Sequence, residues 1–181
     1  RIISAVDRSK AEGQRNRAIL ETLYSCGLRV SELVNLKLSD LYFDEGFIKV
    51  EGKGSKQRLV PISPRAINEI KLYFTDRNRI EVKKEYEDFV FVSQRRGKGL
   101  SRIMIFHMIK ELAQTAGIIK NISPHTFRHS FATHLLEGGA NLRAIQCMLG
   151  HESIATTEIY THIDRNMLRS EIIEHHPRNI K

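Results

Sequence analysis

Apolar residues recur at the spacing of an α-helix over most of this 181-residue sequence, and this periodicity limits the possible folds more than any other feature. A segment with apolar residues three and four positions apart buries one face of a helix. The pattern predicts helices at 14–24, at a short segment that carries Leu33, Leu36 and Leu38, at 64–76 and at 101–116. A mainly helical chain is therefore expected.

The helical spacing is replaced by a strand-like pattern in two places. The apolar residues Phe47, Ile48 and Val50 and the pair 59–60 flank the polar, glycine-rich turn 51–56, which predicts a small β-hairpin that stops at Pro61. The short apolar run 89–92 predicts one more strand. The expected fold class is thus mainly α with a small antiparallel sheet (α+β), in one domain.

Helix boundaries are marked clearly in the last third of the chain. Ser123 is a capping residue with Pro124 at the first helical position, and Gly138-Gly139 ends that helix. Asn141 caps the next helix, which ends at Gly150. Two later helices are predicted: a short one from Ser153 that holds Tyr160, and an amphipathic one with Ile163, Met167, Leu168, Ile172 and Ile173.

Charge and cysteine content narrow the classes of function. The chain has 29 Lys and Arg against 21 Asp and Glu, a net charge of +8, which favours a polyanionic partner and nucleic acid before a membrane surface. Cys26 and Cys147 stand alone without metal-ligand spacing, so no disulfide framework or thiolate zinc site is indicated. No membrane span or signal peptide is visible, and we expect a cytoplasmic protein.

His125 and Arg128 are the first candidate pair for chemistry. They stand three residues apart just after the predicted helix start at Ser123, so they lie on one face of the first turns. Free N–H groups and the helix dipole make such an end a natural phosphate seat. A structural role for the histidine and a solvated arginine are equally compatible with this motif alone.

Three more candidates have the same ambiguity when taken singly. Arg29 and Glu32 also stand three residues apart, where a carboxylate can orient a guanidinium for phosphate contact or form an ordinary surface ion pair. Lys53 sits between two glycines at the hairpin tip, where most lysines are merely solvated. Tyr160 follows His151 by nine residues and is a nucleophile only if cations lower the cost of losing its proton.

Two other constellations compete for these residues. His125, His129 and His134 include a spacing of four that could hold zinc on a helix, but no glutamate completes the usual motif and Arg128 would repel a cation. A helix-turn-helix over 142–160 would explain the charge without catalysis. That alternative assigns no role to Arg29, Lys53 or His125.

Taken in order, five segments resemble the tyrosine recombinase family, which includes the phage integrases, over essentially the whole chain. They are Leu28-Arg29-Val30-Ser31-Glu32-Leu33, Gly52-Lys53-Gly54, His125-Thr126-Phe127-Arg128-His129-Ser130, Leu149-Gly150-His151 and Ile159-Tyr160-Thr161-His162. Within the family, their spacing and the closing His175-His176-Pro177-Arg178 are most similar to the bacterial Xer recombinases, XerD more than XerC.

The resemblance implies a role for each residue. Tyr160 would be the nucleophile that forms a 3'-phosphotyrosyl bond. Arg29 and Arg128 would clamp the scissile phosphate, with Glu32 orienting Arg29. Lys53 would protonate the leaving 5'-oxygen. His125 would help to take or hold the tyrosine proton, and His151 would hydrogen-bond a phosphate oxygen.

The resemblance also implies the biological setting. It predicts DNA recombination without cofactor, metal or ATP, in which 1–181 is the C-terminal catalytic domain and an N-terminal core-binding domain is absent. Partners would be a dif-like duplex, a tetramer with a partner Xer recombinase and an FtsK-type translocase, acting in chromosome partition and cell division. A phage or mobile-element integrase and a non-catalytic DNA-binding module are the alternatives. Docking of the last helix in cis or in trans stays open.

Overall fold

A computed structural model describes residues 2–150 of the chain. These residues form two helices, then three strands, then four more helices. The helices are α1 Gly13–Cys26, α2 Val30–Val34, α3 Pro64–Arg77, α4 Arg102–Thr115, α5 Pro124–Glu137 and α6 Leu142–Leu149. The strands are β1 Leu41–Tyr42, β2 Phe47–Glu51 and β3 Gln57–Pro61, and short 3-10 turns lie at Ile3–Ala5, Leu38–Asp40, Lys53–Ser55 and Lys84–Tyr86.

The three strands form one antiparallel sheet in the order β1-β2-β3. Phe47 pairs with Pro61 and Glu51 with Gln57, so the predicted hairpin is confirmed with its tip at the predicted turn. The mainly helical fold with a small antiparallel sheet is therefore confirmed. The predicted strand at 89–92 is wrong: this segment makes only isolated bridges, between Lys37 and Phe89 and between Val92 and Gly99.

Helix α1 is the centre of the larger core. Ala18, Ile19 and Leu23, which recur at helical spacing, are fully buried. The helix packs against α3 on one side and against α5 on another. Within residues 2–150, no helix has both the length and the apolar character that crossing a membrane requires.

The end of α1 is built to let α5 approach it closely. Gly27 follows the helix with φ +65°, a conformation that residues with a side chain rarely adopt. A Cβ at this position would stand 2.4 Å from the ring of Phe131 in α5. Phe131 is fully buried in a second cluster that joins α5 and α6 to Phe47 of the sheet. The glycine therefore lets the end of α1 lie close against α5.

Caps define the last two described helices as the sequence predicts. Ser123 precedes α5, and its backbone N–H donates to Oγ1 of Thr126 at 3.1 Å. The side-chain oxygen of Asn141 accepts from the backbone N–H of Arg143 and of Ala144 at the start of α6. Gly150, with φ +71°, ends α6. The two helices predicted after Gly150 lie outside the described residues, so they stay predictions.

Candidate active site

Arg128 is held in place by the ends of two helices. Its Nη1 donates to the carbonyl of Gly27 at 2.7 Å, and its Nη2 donates to the carbonyl of Leu149 at 2.5 Å. These carbonyls follow α1 and end α6, where backbone oxygens lack intrahelical partners. A guanidinium has five N–H donors, so two such bonds orient the group and leave donors for an anion.

Arg29 lies close enough to Arg128 to affect its ionisation. The pKa of Arg128 is lowered to about 10, first because burial disfavours the charged form and then because the charge of Arg29 repels it; the charge of Glu32 opposes this shift. The group still carries its proton at neutral pH. The guanidinium groups of Arg29 and Arg128 repel each other in this partly buried place, and a bound phosphate would relieve that repulsion.

Glu32 is the carboxylate between these arginines, but it is oriented differently from the prediction. Its Oε1 accepts from the backbone N–H of Arg29 at 2.9 Å, because Glu32 occupies the third helical position after Arg29 and folds back on the helix start. Its side-chain partner is Arg58, not Arg29. Nη1 and Nη2 of Arg58 donate to the carboxylate at 2.5 and 3.0 Å. The prediction that Glu32 orients the guanidinium of Arg29 is therefore corrected.

The ionisation of Glu32 reflects these contacts. Burial raises the pKa of its carboxyl, but the hydrogen bonds and charge of Arg58 lower it more, and the Arg29 backbone and Arg128 add to the lowering. The net pKa lies below the ordinary value of 4.5. Glu32 is thus ionised at neutral pH and offsets part of the positive charge that the three arginines bring.

Lys53 and Arg29 line one open cleft. The cleft has a volume of about 870 Å³ and extends from α2 to the hairpin tip. Lys53 is exposed, and Gly54 beside it has φ +73° with open space around it. The tip can therefore approach another molecule closely with its ammonium facing outward. Other cleft residues include Ser31, Glu32, Lys37, Asp40, Lys49 and Gly52.

His125 is exposed in the first turn of α5, one turn before Arg128. The other two histidines of the zinc alternative have different neighbours. His134 Nδ1 is 2.6 Å from the hydroxyl of Tyr24, and His129 Nε2 is 3.5 Å from Oγ1 of Thr133. Across residues 2–150, no three histidine, cysteine or acidic side chains are grouped as a metal site requires.

His151 and Tyr160 lie outside the described residues. The structure therefore brings together Arg29, Glu32 and Arg128, places Lys53 on the same cleft and puts His125 one turn away. The roles of all these residues stay predictions. The helix-turn-helix alternative can be examined only in part, since α6 lies within its range and residues 151–160 lie outside the described ones.

Sequence reasoning missed Arg58. The residue is only 9% exposed although it is charged, and it shares its inward-facing strand face with the buried Val60. A charged residue at an inward position of a predicted strand is the signal that could have identified it. Such residues are seldom buried without a specific partner, and here the partner is Glu32.

Comparisons with known proteins point to one family. The model of the phage integrase family matches residues 1–167. A tyrosine recombinase XerD from Pseudomonas putida is 46% identical over 177 residues, which cover 98% of this chain and 59% of that protein. A tyrosine recombinase XerD from Chlorobaculum tepidum is 51% identical over 164 residues, covering 91% of this chain and 54% of that protein.

Solved structures agree with the sequence matches. The crystal structure of XerA recombinase superposes with a TM-score of 0.75 at 39% identity, over 98% of this chain and 61% of that one. The XerH site-specific recombinase bound to its difH substrate, a pre-cleavage complex, has a TM-score of 0.72 at 31% identity, over 90% of this chain and 47% of that one.

The chain spans less than two thirds of the length of these XerD relatives, 59% and 54%. The family match nevertheless extends from residue 1 to residue 167. It therefore includes all the candidate site residues: Arg29, Glu32, Lys53, His125, Arg128, His151 and Tyr160. On this evidence the chain belongs to the phage integrase family, the tyrosine recombinases.

Proposed function

We propose that this chain is the catalytic domain of a Xer-type site-specific recombinase, which cleaves and rejoins DNA through a 3'-phosphotyrosyl bond to Tyr160. The observation that carries the proposal is the convergence of Arg29 and Arg128 on one carboxylate. Oε1 of Glu32 accepts from the backbone N–H of Arg29 at 2.9 Å and lies 3.9 Å from Nη1 of Arg128. A cluster of this kind fits the two non-bridging oxygens of a phosphodiester, which share one negative charge.

The proposed reaction is an in-line transfer at phosphorus. The hydroxyl oxygen of Tyr160 attacks the scissile phosphorus while His125 accepts the phenol proton. The bond from phosphorus to the 5'-oxygen breaks, and Lys53 gives that oxygen a proton. Arg29, Arg128 and His151 stabilise the negative charge on the non-bridging oxygens. One phosphodiester is exchanged for another, so rejoining is the reverse step and consumes no ATP.

The described geometry supports three of these assignments. The carbonyls of Gly27 and Leu149 fix the guanidinium of Arg128. Arg29 faces the cleft that the hairpin closes on one side, and Lys53 lies on that cleft at a glycine-flanked tip. A general acid on a flexible tip can reach a leaving oxygen beside a phosphate that the arginines hold.

The substrate and partners extend the proposal by similarity. The XerD relatives are 46% and 51% identical to this chain, and the solved XerH recombinase is bound to a difH substrate. We therefore place a dif-like duplex in the site, bound in a tetramer with a partner Xer recombinase and acted on by an FtsK-type translocase. This setting is chromosome dimer resolution in the cytoplasm, at cell division.

An integrase of a phage or mobile element is the second candidate, with the same chemistry. It is favoured by the integrase from mycobacterium phage Brujita, which superposes at a TM-score of 0.70 and 27% identity. The Tn1549 transposon integrase does so at 0.70 and 25% identity. Identity is higher to the XerA recombinase, at 39%, and this difference favours the Xer assignment.

Covalent trapping on nicked suicide duplexes tests the proposal. The wild type and Tyr160→Phe are incubated in chelator with a dif-like duplex, at a protein concentration where mobility shift shows that the DNA is bound, and then run on a denaturing gel. A protein-DNA band in the wild type alone is expected. Binding by both proteins without a covalent band contradicts the enzyme and supports the non-catalytic module. A duplex with an integrase attachment sequence, run in parallel, distinguishes the two recombinase candidates.

A further inference from the structure

One buried arginine of the hairpin, Arg58, joins three parts of the candidate site. Its Nη1 and Nη2 hold the carboxylate of Glu32 in α2, and its Nε donates to the carbonyl of Met148 in α6 at 2.8 Å. Its side chain is only 8% exposed. A single rigid guanidinium thus connects β3 to α2 and to the last turn of α6.

Glu32, which Arg58 holds, also contacts both candidate phosphate-binding residues, Arg29 and Arg128. The same Oε1 that accepts from Nη2 of Arg58 also accepts from the backbone N–H of Arg29. It lies 3.9 Å from Nη1 of Arg128. The carboxylate of Glu32 therefore contacts three arginines. Its position is set mainly by the two hydrogen bonds from Arg58.

The other contact of Arg58 lies at the last turn of α6, just before Gly150. Arg58 holds the carbonyl of Met148, and Arg128 holds the next carbonyl, that of Leu149. Gly150 then passes directly over the guanidinium. A Cβ at Gly150 would stand 3.0 to 3.2 Å from three of its atoms. Arg58 and Arg128 thus donate hydrogen bonds to carbonyls at the C-terminus of α6, which lack partners within the helix and carry its negative dipole.

We propose that Arg58 is a positioning residue for the cleavage reaction: it fixes Glu32 and the end of α6, and through them the positions of Arg29 and Arg128, without touching DNA itself. The proposal rests on the proposed recombinase function. Arg58 is buried, and all three of its guanidinium nitrogens already donate to protein oxygens. We therefore do not expect it to contact the phosphate.

The charge arrangement gives a specific consequence of losing Arg58. Glu32 would keep its negative charge, and the nearest remaining guanidinium would be that of Arg128, 3.9 Å away. The carboxylate would then close on Arg128 and compete with the phosphate for it. Cleavage slows in this account because a cation of the site is neutralised and misplaced, even when DNA is fully bound.

Single-turnover cleavage of a nicked suicide duplex tests the proposal with Arg58→Gln and a matched control, Arg77→Gln. Arg77 is also 9% exposed and also holds backbone carbonyls, those of Phe89 and Glu87, but it lies at the end of α3 away from the cleft. Both variants are expected to melt at a lower temperature than wild type. Rates are taken at saturating protein and divided by the folded fraction from circular dichroism.

The expected result separates positioning from folding. Arg58→Gln should lower the saturating rate of the folded protein by about tenfold to 100-fold, since small misplacement of catalytic groups has effects of this size, while Kd for the duplex stays within about twofold. Arg77→Gln should keep the wild-type rate. Arg58→Lys retains the positive charge but loses the planar guanidinium. This variant provides the test if Arg58→Gln does not fold, and we expect it to cleave slowly as well.

Three results would overturn the proposal. Equal rates for Arg58→Gln, Arg77→Gln and wild type would make Arg58 a structural residue only. A weaker Kd with an unchanged saturating rate would place Arg58 on the DNA. A wild-type rate in Arg58→Lys would show that charge alone suffices. Failure of the underlying function is distinguishable, because the wild type itself would then form no covalent product.

Discussion

Nη2 of Arg128 in α5 donates a 2.5 Å hydrogen bond to the backbone carbonyl of Leu149, the last residue of α6. This bond joins a candidate phosphate-binding group to the point from which the chain continues to His151. The same guanidinium bonds the carbonyl of Gly27 after α1. Its position therefore depends on two helix ends that are far apart in sequence.

The first prediction concerns this geometry. Arg128→Lys keeps a positive charge but loses the planar fork that bonds two carbonyls and a phosphate together. We expect cleavage of a saturating suicide duplex to slow on the order of 100-fold, the cost of removing one preorganised donor group. Arg143→Lys, in the exposed first turn of α6, is the control and should cleave at the wild-type rate. Equal rates in the two variants would show that charge at 128 is sufficient.

The second prediction concerns Lys53 as the general acid. A duplex with sulfur in place of the 5'-bridging oxygen releases a thiolate, which leaves without being protonated. Lys53→Ala should cleave the ordinary duplex on the order of 100-fold slower than wild type and the sulfur duplex at nearly the wild-type rate. Lys49→Ala, which lines the same cleft and pairs with Asp40 at 3.6 Å, should not alter the ratio of the two rates. A Lys53→Ala defect that is the same on both duplexes would exclude this acid.

The third prediction concerns the stability that Glu32 contributes. Its folded-state pKa lies below the ordinary 4.5, so this stability is present above pH about 4.5 and is lost as pH falls through the folded value. The free energy of unfolding of wild type should exceed that of Glu32→Gln at pH about 7 by about 3 kcal/mol, because a broken buried pair leaves Arg58 uncompensated. The difference should shrink as pH falls below about 4.5 and the carboxyl of Glu32 becomes protonated. Urea titrations at several pH values measure it, and a difference independent of pH would contradict the assigned pKa direction.

The fourth prediction concerns the close contact of α1 and α5. Gly27→Ala introduces a Cβ at φ +65° that would meet the ring of Phe131 at 2.4 Å. We expect a loss of about 2 to 4 kcal/mol in the free energy of unfolding, from backbone strain and overpacking together. Gly54→Ala is the matched control, since φ is +73° there but no atom lies within 4 Å of the new Cβ. It should lose only the strain, about 1 kcal/mol. Equal losses would show that contact with Phe131 has no cost.

The sequence predicted the fold well where local chemistry sets a boundary. Gly27 and Gly150 end helices with positive φ, and Asn141 caps α6 through its side chain. These signals act within a few residues and are readable from a single sequence. The hairpin was predictable for the same reason, since its polar turn separates two short apolar runs.

Predictions that depend on distant partners were less successful. The apolar segment 89–92 looks like a strand, but its backbone groups bond elsewhere: Val90 N–H to the carbonyl of Leu36, and Val92 N–H to the hydroxyl of Tyr73. A run of apolar residues reports burial without saying which groups complete the backbone hydrogen bonds. Periodicity alone therefore could not exclude a strand.

The same limit applies to the site. The three-residue spacing of Arg29 and Glu32 suggested an interaction, and Glu32 does bond the backbone N–H of Arg29, but the spacing could not reveal that Arg58 of the hairpin binds the carboxylate. That partner is 26 residues away along the chain. The arginines of the site converge through tertiary packing, and only their order along the sequence was visible beforehand.

The most direct test of the central claim is to identify the residue that becomes covalently attached to DNA. The complex trapped on a nicked suicide duplex is digested with nuclease and protease, and the peptides are analysed by mass spectrometry. We expect a 3'-phosphonucleotide adduct on Tyr160 in the wild type and no adduct in Tyr160→Phe. An adduct on another residue, or an adduct that persists in Tyr160→Phe, would contradict it.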